Sequence, residues 1–249
     1  MPFSPTYILA DHCFLPLGDG SFDCWKKMIA GTSSIDFFSN KTVLNSDYQA
    51  SQWKSFPEIK THTPTTRLEK MAIYSIQKSI SETGIDPADP KVIFIAATTK
   101  GNIDLLKGDN EDKKGRERLG KMSEFISNYF GNPNTPFTVS NACISGVLAL
   151  QTGHQLLNQG NYEHAIVFGA DLLSRFTLSG FNAFKAVSKD PCKPFDKSRD
   201  GISLGEGSAT IILSKKEKSN IQLLSAATSN DANHISGPSI EGSGLKIAS

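Results

Sequence analysis

Cys143 stands at the apex of a run of small residues, Thr138-Val139-Ser140-Asn141-Ala142-Cys143-Ile144-Ser145-Gly146. An apolar strand end precedes it, and a helix-compatible stretch beginning Val147-Leu148-Ala149-Leu150 follows. A strand, a tight turn and a helix in that order place the thiol at a helix mouth. The free amides and the positive end of the helix dipole there favour thiolate over thiol. A thiol so held suits covalent catalysis, in which sulfur attacks an electrophilic carbonyl and is later displaced. The bland alternative is a buried structural cysteine, because cysteine packs as a small hydrophobe. Cys13, Cys24 and Cys192 lack comparable surroundings and read as inert. The other candidates for chemistry are five histidines: His12, His62, His154, His164 and His234. His154 follows Cys143 by eleven positions. On one helix that is about 16 Å of rise, beyond the reach of a thiol–imidazole hydrogen bond. His154 and His164 therefore read as core or edge residues, and His234 as structural.

The elements that must position Cys143 alternate between strand and helix. Thr6 to Ala10 reads as a short buried strand, residues 15–20 as a turn, and Ser21 as the cap of a helix over Phe22 to Ile29. Residues 32–63 lack periodicity and read as irregular surface. Leu68, Met71, Ala72, Ser75, Ile76, Ser79 and Ile80 recur at helical spacing within Thr65 to Glu82. Val92 to Ala97 and Ala165 to Gly169 are continuous apolar runs of the kind buried on both faces of a sheet. The charged stretch 107–121 reads as a solvated loop or an exposed helix start. Met122 to Phe130, Ile144 to Asn158 and Ser179 to Ser188 suit helices, and Phe137 to Ser140 a strand. Ala209 to Ser214 and Ile221 to Ser225 read as strands that could form a hairpin. The expectation is an α/β fold with a mixed, mostly parallel five-stranded sheet and helices on both faces.

Composition narrows the function classes. The chain has 249 residues, with Lys+Arg 26 against Asp+Glu 25. Near-neutrality argues against a nucleic-acid binder. The four cysteines have no CxxC spacing, so neither a zinc site nor a disulfide framework is indicated, and no metal or cofactor is expected. Reduced thiols, the absence of a signal-like start and the absence of any apolar run of ~20 residues point to a cytoplasmic protein without a membrane span.

Three segments in order go further: Ser140 to Gly146; Phe168-Gly169-Ala170-Asp171 followed by Ser179-Gly180-Phe181-Asn182; and Pro194-Phe195-Asp196-Lys197-Ser198-Arg199-Asp200-Gly201-Ile202-Ser203-Leu204-Gly205-Glu206-Gly207. Together they closely resemble the β-ketoacyl-acyl-carrier-protein synthases, condensing enzymes of the thiolase superfamily. Residues 229–238, which include His234, also resemble that family. The resemblance implies the amino-terminal half of a thiolase-like fold across 1–249, with the carboxy-terminal half and its two catalytic histidines lying outside these residues. It implies that Cys143 takes an acyl group from an acyl carrier protein and that a malonyl-type extender is decarboxylated to attack the thioester. The amide of Cys143 would supply half of the oxyanion hole. A half-length chain is then expected to be inactive alone. Phe181 maps to an acyl-pocket phenylalanine, with plain core packing as the alternative. Lys100 departs from an apolar pocket-floor position, pointing either to solvent, the favoured reading, or into the acyl tunnel. Arg67, Lys70 and Lys185 are candidates for docking an acidic carrier protein. Asp196, Arg199, Asp200 and Glu206 read as a structural ion-pair and turn network. A homodimer or ketosynthase heterodimer is expected, with Ala165 to Gly169 as the edge strand at the axis. The alternatives are a non-catalytic partner subunit and a thiolase using coenzyme A thioesters.

Overall fold

The computed structural model describes residues 4–39, 43–44, 47–107, 113–231 and 239–249. Two buried strands form its centre, β5 (Val92–Ala97) and β7 (His164–Asp171), paired in parallel with Ala96 opposite Phe168. Both lie between helical layers, which is why they read as unbroken apolar runs rather than as alternating ones. Even-numbered residues of β5 face α2 (Arg67–Ser81) and α3 (Leu119–Tyr129), packing Phe94 and Ala96 with Leu68, Ile73, Ile76 and Ile126. The odd-numbered Ile93 and Ile95 face α4 (Ser145–Gln159), against Ala149 and Leu157. α4 lies close because Gly153 meets the sheet; a Cβ there would come 3.0 Å from Leu213 and 3.3 Å from Ile95.

The sheet is mixed and sandwiched, as expected, but it has seven strands rather than five. Its order is β10 (Gln222–Leu223), β1 (Thr6–Leu15), β9 (Gly207–Ser214), β7, β5, β6 (Phe137–Val139), with β2 (Gly18–Asp19) folded back on β1. β2, read from the sequence as part of a turn, and β10, within the expected strand Ile221 to Ser225, are two-residue edge pieces. Parallel pairing is confined to β5–β6 and β5–β7; β9 runs antiparallel to both β1 and β7. β10 does not pair with β9 as a hairpin. The chain passes over β1 to pair on its far side, with Leu223 opposite Thr6. β7 is interior, so it is not an edge strand able to pair across a dimer axis; β6 is the edge on that side.

β1 runs five residues past its expected end, because the polar pair Asp11-His12 is accommodated inside the strand. His12 is buried there, with Nε2 3.0 Å from Asp19 of β2. α1 (Ser21–Ile29) is entered from Gly20 at φ 100°, not from a Ser21 cap. The segment expected to be irregular contains a hairpin, β3 (Ile35–Phe38) with β4 (Tyr48–Ser51). β4 then pairs with β8 (Leu204–Gly205) in a second, three-stranded sheet. Four-residue strands whose partner lies some 150 residues away leave little periodic signal. α2 begins at a capping box in which the Thr66 hydroxyl accepts from Glu69 N–H and Glu69 accepts from Thr66 N–H. The charged stretch is not wholly solvated. Arg116 is buried, its Nη1 3.0 Å from Glu69 Oε2 and its guanidinium 3.9 Å from the Phe125 ring centroid. α5 (Arg175–Ala183) starts earlier than expected because Ser174 caps it, accepting from Thr177 N–H. α6 (Ser243–Ala248) ends the chain.

Candidate active site

β6 ends at Val139, and the chain crosses Ser140 and Asn141 into a 3-10 turn, Ala142–Ile144, that runs directly into α4. Cys143 is the middle residue of that turn and is exposed, as a nucleophile must be. Ala142 before it is held at φ 46°, a left-handed conformation that costs a non-glycine residue about 1 kcal/mol or more. Ser145 braces the strained elbow from beneath. Its hydroxyl is buried, accepts from Asn141 N–H at 2.8 Å and donates to Ala142 C=O at 2.8 Å. One side chain thus clamps both sides of the residue that presents the thiol.

Cys143 opens onto a cavity of about 350 Å³. Its walls are strand ends: Ala97 at the end of β5 with Thr98 and Thr99 after it, Gly169 and Asp171 on β7, and Gly207 and Ala209 on β9. None of its lining residues is a histidine. His154 lies elsewhere in the core, its Nδ1 3.1 Å from the Thr6 hydroxyl. His164 is buried, 3.9 Å from Glu217, and His62 stacks on Tyr129. His234 and most of the 229–238 segment lie outside the described residues. No group of His, Cys, Asp and Glu side chains among the described residues is arranged to hold a metal.

Lys100 and Phe181 come together. Both line a second cavity of about 300 Å³, with Phe176, Thr177, Gly180, Phe184 and Ala186. Lys100 does not point freely to solvent. Its amine contacts the Thr99 hydroxyl and lies 3.6 Å from Asp171 Oδ1, with a fifth of its side chain exposed. Asp171 organises the whole loop, accepting from the Thr98 and Thr99 hydroxyls at 3.1 Å each. Gly101, at φ 52°, then donates its N–H to the Thr98 hydroxyl. The lysine that departs from the expected apolar pocket-floor position is therefore held by Asp171. Phe176 and Phe184 escaped the sequence reading. The signal was there: Phe176, Gly180 and Phe184 are four apart, one face of a helix entering the cavity.

The docking candidates separate. Arg67 is not a free surface cation: its guanidinium pairs with the buried Glu206 and lies over the Phe56 ring at 4.6 Å. Lys70 is half-buried and Lys185 is exposed, at φ 53° just past α5. The presumed acidic network separates too. Glu206 is the one member buried in the core, where it accepts from Trp53 N–H and Leu173 N–H. Burial pushes its carboxyl above the ordinary range, outweighing the opposing pull of Arg67. Asp196 and Asp200 are exposed turn residues, each held below the usual range by a serine hydroxyl, Ser198 and Ser188. Arg199 bonds the Asp196 carbonyl rather than a carboxylate.

A family model described as "Beta-ketoacyl synthase, N-terminal domain" matches residues 4–219. The 3-oxoacyl-[acyl-carrier-protein] synthase 2 of Vibrio harveyi is 22% identical over 276 aligned positions, covering 94% of this chain and 65% of that protein. A ketosynthase (ApeO) solved in complex with its chain length factor (ApeC) from Xenorhabdus doucetiae superposes with TM-score 0.81 at 26% identity, covering 97% of this chain and 65% of that one. A β-ketoacyl synthase from Burkholderia phymatum has the same fold at TM-score 0.81 and 17% identity, over 100% of this chain and 70% of that one. The chain thus spans about 65% of the length of the first two relatives.

Proposed function

From the premise that this chain belongs to the β-ketoacyl synthase family and carries its amino-terminal domain, we propose that Cys143 is the acyl acceptor of a 3-oxoacyl-[acyl-carrier-protein] synthase. The observation that carries the reading is the exposed thiol on a strained elbow, clamped by Ser145 and open to a 350 Å³ cavity. Sγ forms the bond to the acyl carbonyl carbon, and the carrier thiolate leaves. The malonyl-type extender then loses carbon dioxide, its carbanion attacks the thioester, and Cys143 is released. The groups that drive decarboxylation are assigned to the carboxy-terminal half that the family resemblance implies, so residues 1–249 alone are expected not to turn over; no histidine lines the Cys143 cavity among the described residues.

The apolar cavity beside α5 suits the acyl chain, with Phe181 on its wall and Lys100 at its rim. A cation held there by Asp171 disfavours a long saturated chain, because its burial against methylenes is costly. Lys70 and Lys185 are the remaining candidates for docking an acidic carrier protein. The partner subunit is a second copy or a chain-length-factor-like chain, a reading supported by the heterodimeric ketosynthase that this chain resembles. Cytoplasmic residence fits four free cysteines; no helix among the described residues is long and apolar enough to cross a membrane.

Intact-mass analysis after incubation with acyl-carrier-protein thioester, and separately with acyl-coenzyme A, tests the reading. Cys143 is expected to gain one acyl group, faster from the carrier protein, and Cys143→Ala to gain none. Preference for coenzyme A would favour a thiolase. Absence of acylation on an accessible Cys143 would favour a non-catalytic subunit.

A further inference from the structure

Two other thiols lie close together near the C-terminal end of β1, where the β1–β2 hairpin meets α1. The β1–β2 hairpin and α1 share a hinge at Gly20, whose N–H donates to Cys13 C=O at 2.8 Å and whose C=O accepts from Cys24 N–H at 3.1 Å. One glycine therefore ties the backbones of both cysteines together. Cys24 is buried and its sulfur is turned inward: a Cβ on Gly18 would lie 3.2 Å from Cys24 Sγ. The Cys13 thiol is near enough to act on it electrostatically. Cys13 is only half-buried, so it is the sulfur that a solute reaches first.

We propose that Cys13 and Cys24 are an oxidant-sensitive pair that closes to a reversible disulfide, locking α1 onto β1. The co-reactant is a peroxide. Cys13 sulfur attacks one peroxide oxygen, the O–O bond breaks, and the sulfenic acid and one water form. Cys24 sulfur then displaces the hydroxyl; the S–S bond forms, and the proton of Cys24 leaves with that hydroxyl as a second water. Two thiols are oxidised and one peroxide is reduced to two waters. Burial and the nearby Cys13 push the Cys24 thiol up to about 12, so the second step is slow at neutral pH and speeds up as pH rises. The pair therefore closes under sustained oxidation rather than in ordinary handling. Gly20 already joins the two backbones by hydrogen bonds, which limits how far they must move to close the bond. The locked helix is the one that exposes Phe22, stacked on Trp25 with ring centroids 5.6 Å apart.

Peptide mapping of the complete protein after hydrogen peroxide treatment tests this directly. No lysine or arginine lies between Cys13 and Cys24, so trypsin leaves both on one peptide ending at Lys26. That peptide is expected to lose about 2 Da, the two hydrogens of the thiols, and to regain them with dithiothreitol. Cleavage before Asp19 then yields two pieces held only by the bond. The same loss is expected in Cys143→Ala, which separates it from the reactive elbow. In Cys24→Ser the sulfenic acid on Cys13 should be trapped by dimedone instead. The wild-type map decides the question if that variant does not fold. Both cysteines still free for alkylation after Cys143 is fully oxidised, or a bond from either to Cys192 or Cys143, would overturn the proposal.

Discussion

At the scale of single residues, the thiol depends on its neighbours more than on itself. Ser145 makes two buried hydrogen bonds that hold the left-handed Ala142 in place. Ser145→Ala leaves Asn141 N–H and Ala142 C=O without that partner, a loss of about 1–3 kcal/mol. The elbow is expected to relax, and acylation of Cys143 to slow on the order of tenfold while the thiol remains exposed. Thermal melts and the rate of acyl transfer, read on the same preparation, check both halves. Unchanged acylation would show that the turn holds without the clamp. The cysteine, its small neighbours and Ser145 were all legible as a motif. The division of labour between the thiol and its brace was not, because it depends on where a hydroxyl points.

At the scale of elements, one buried network joins three segments that are distant in sequence. Glu69 of α2 receives Arg116 Nη1 at 3.0 Å and Asn102 Nδ2 at 2.8 Å, and Thr66 donates to Asn102 Oδ1 at 2.7 Å. Removing one partner strands a buried charge, so Arg116→Met is expected to cost about 3–5 kcal/mol in denaturant unfolding. A cost below about 1 kcal/mol would return Arg116 to the solvated loop that its charged surroundings suggest. A second constraint lies in the segment preceding β8. A Cβ on Gly201 would come 2.5 Å from Ser188 N and 2.7 Å from Ala186 O, both backbone atoms. Ser188 N–H donates to Ile202 C=O, and Ile202 N–H to Ala186 C=O. Gly201→Ala must therefore part these chains; faster amide exchange at Ser188 and Ile202 is the expected sign. The glycine is visible in the sequence, but the backbone it touches is thirteen or more residues upstream.

At the scale of the whole molecule, three buried histidines set the acid response. Burial is the main cause lowering His12, His154 and His164 below their ordinary value of 6.5; Asp19 partly offsets it at His12 and Glu217 at His164. The unfolded chain takes up these protons near 6.5, whereas the folded chain resists until lower pH. The unfolded state thus binds more protons in that window, and stability falls as pH drops below 6.5. Glu206 has the opposite sign, since its raised carboxyl protonates earlier in the folded state and recovers some stability at the acid end. The melting temperature is expected to decline from about pH 7 to about pH 5.5, and less steeply in His154→Gln, which can still bond Thr6. A flat profile across that range would show that the buried imidazoles titrate normally.

Periodicity and local chemistry are properties of neighbours along the chain, and they determined a great deal by themselves. The buried β5 and β7, the α2 helix, and the strand-turn-helix around Cys143 all follow from runs and turns of a few residues. So did the family, because the Pro194 to Gly207 segment is specific in type and spacing. The tertiary structure decided whatever depends on contact between distant segments. It made β7 an interior strand and β6 the edge, sent β10 across β1, and built the second sheet from β3, β4 and β8. It turned Arg67 from a docking cation into the partner of Glu206, drew Lys100 to Asp171, and tied the backbones of Cys13 and Cys24 together through Gly20. Each of these turns on a charge or a backbone group finding its partner in space, which spacing along the chain does not encode.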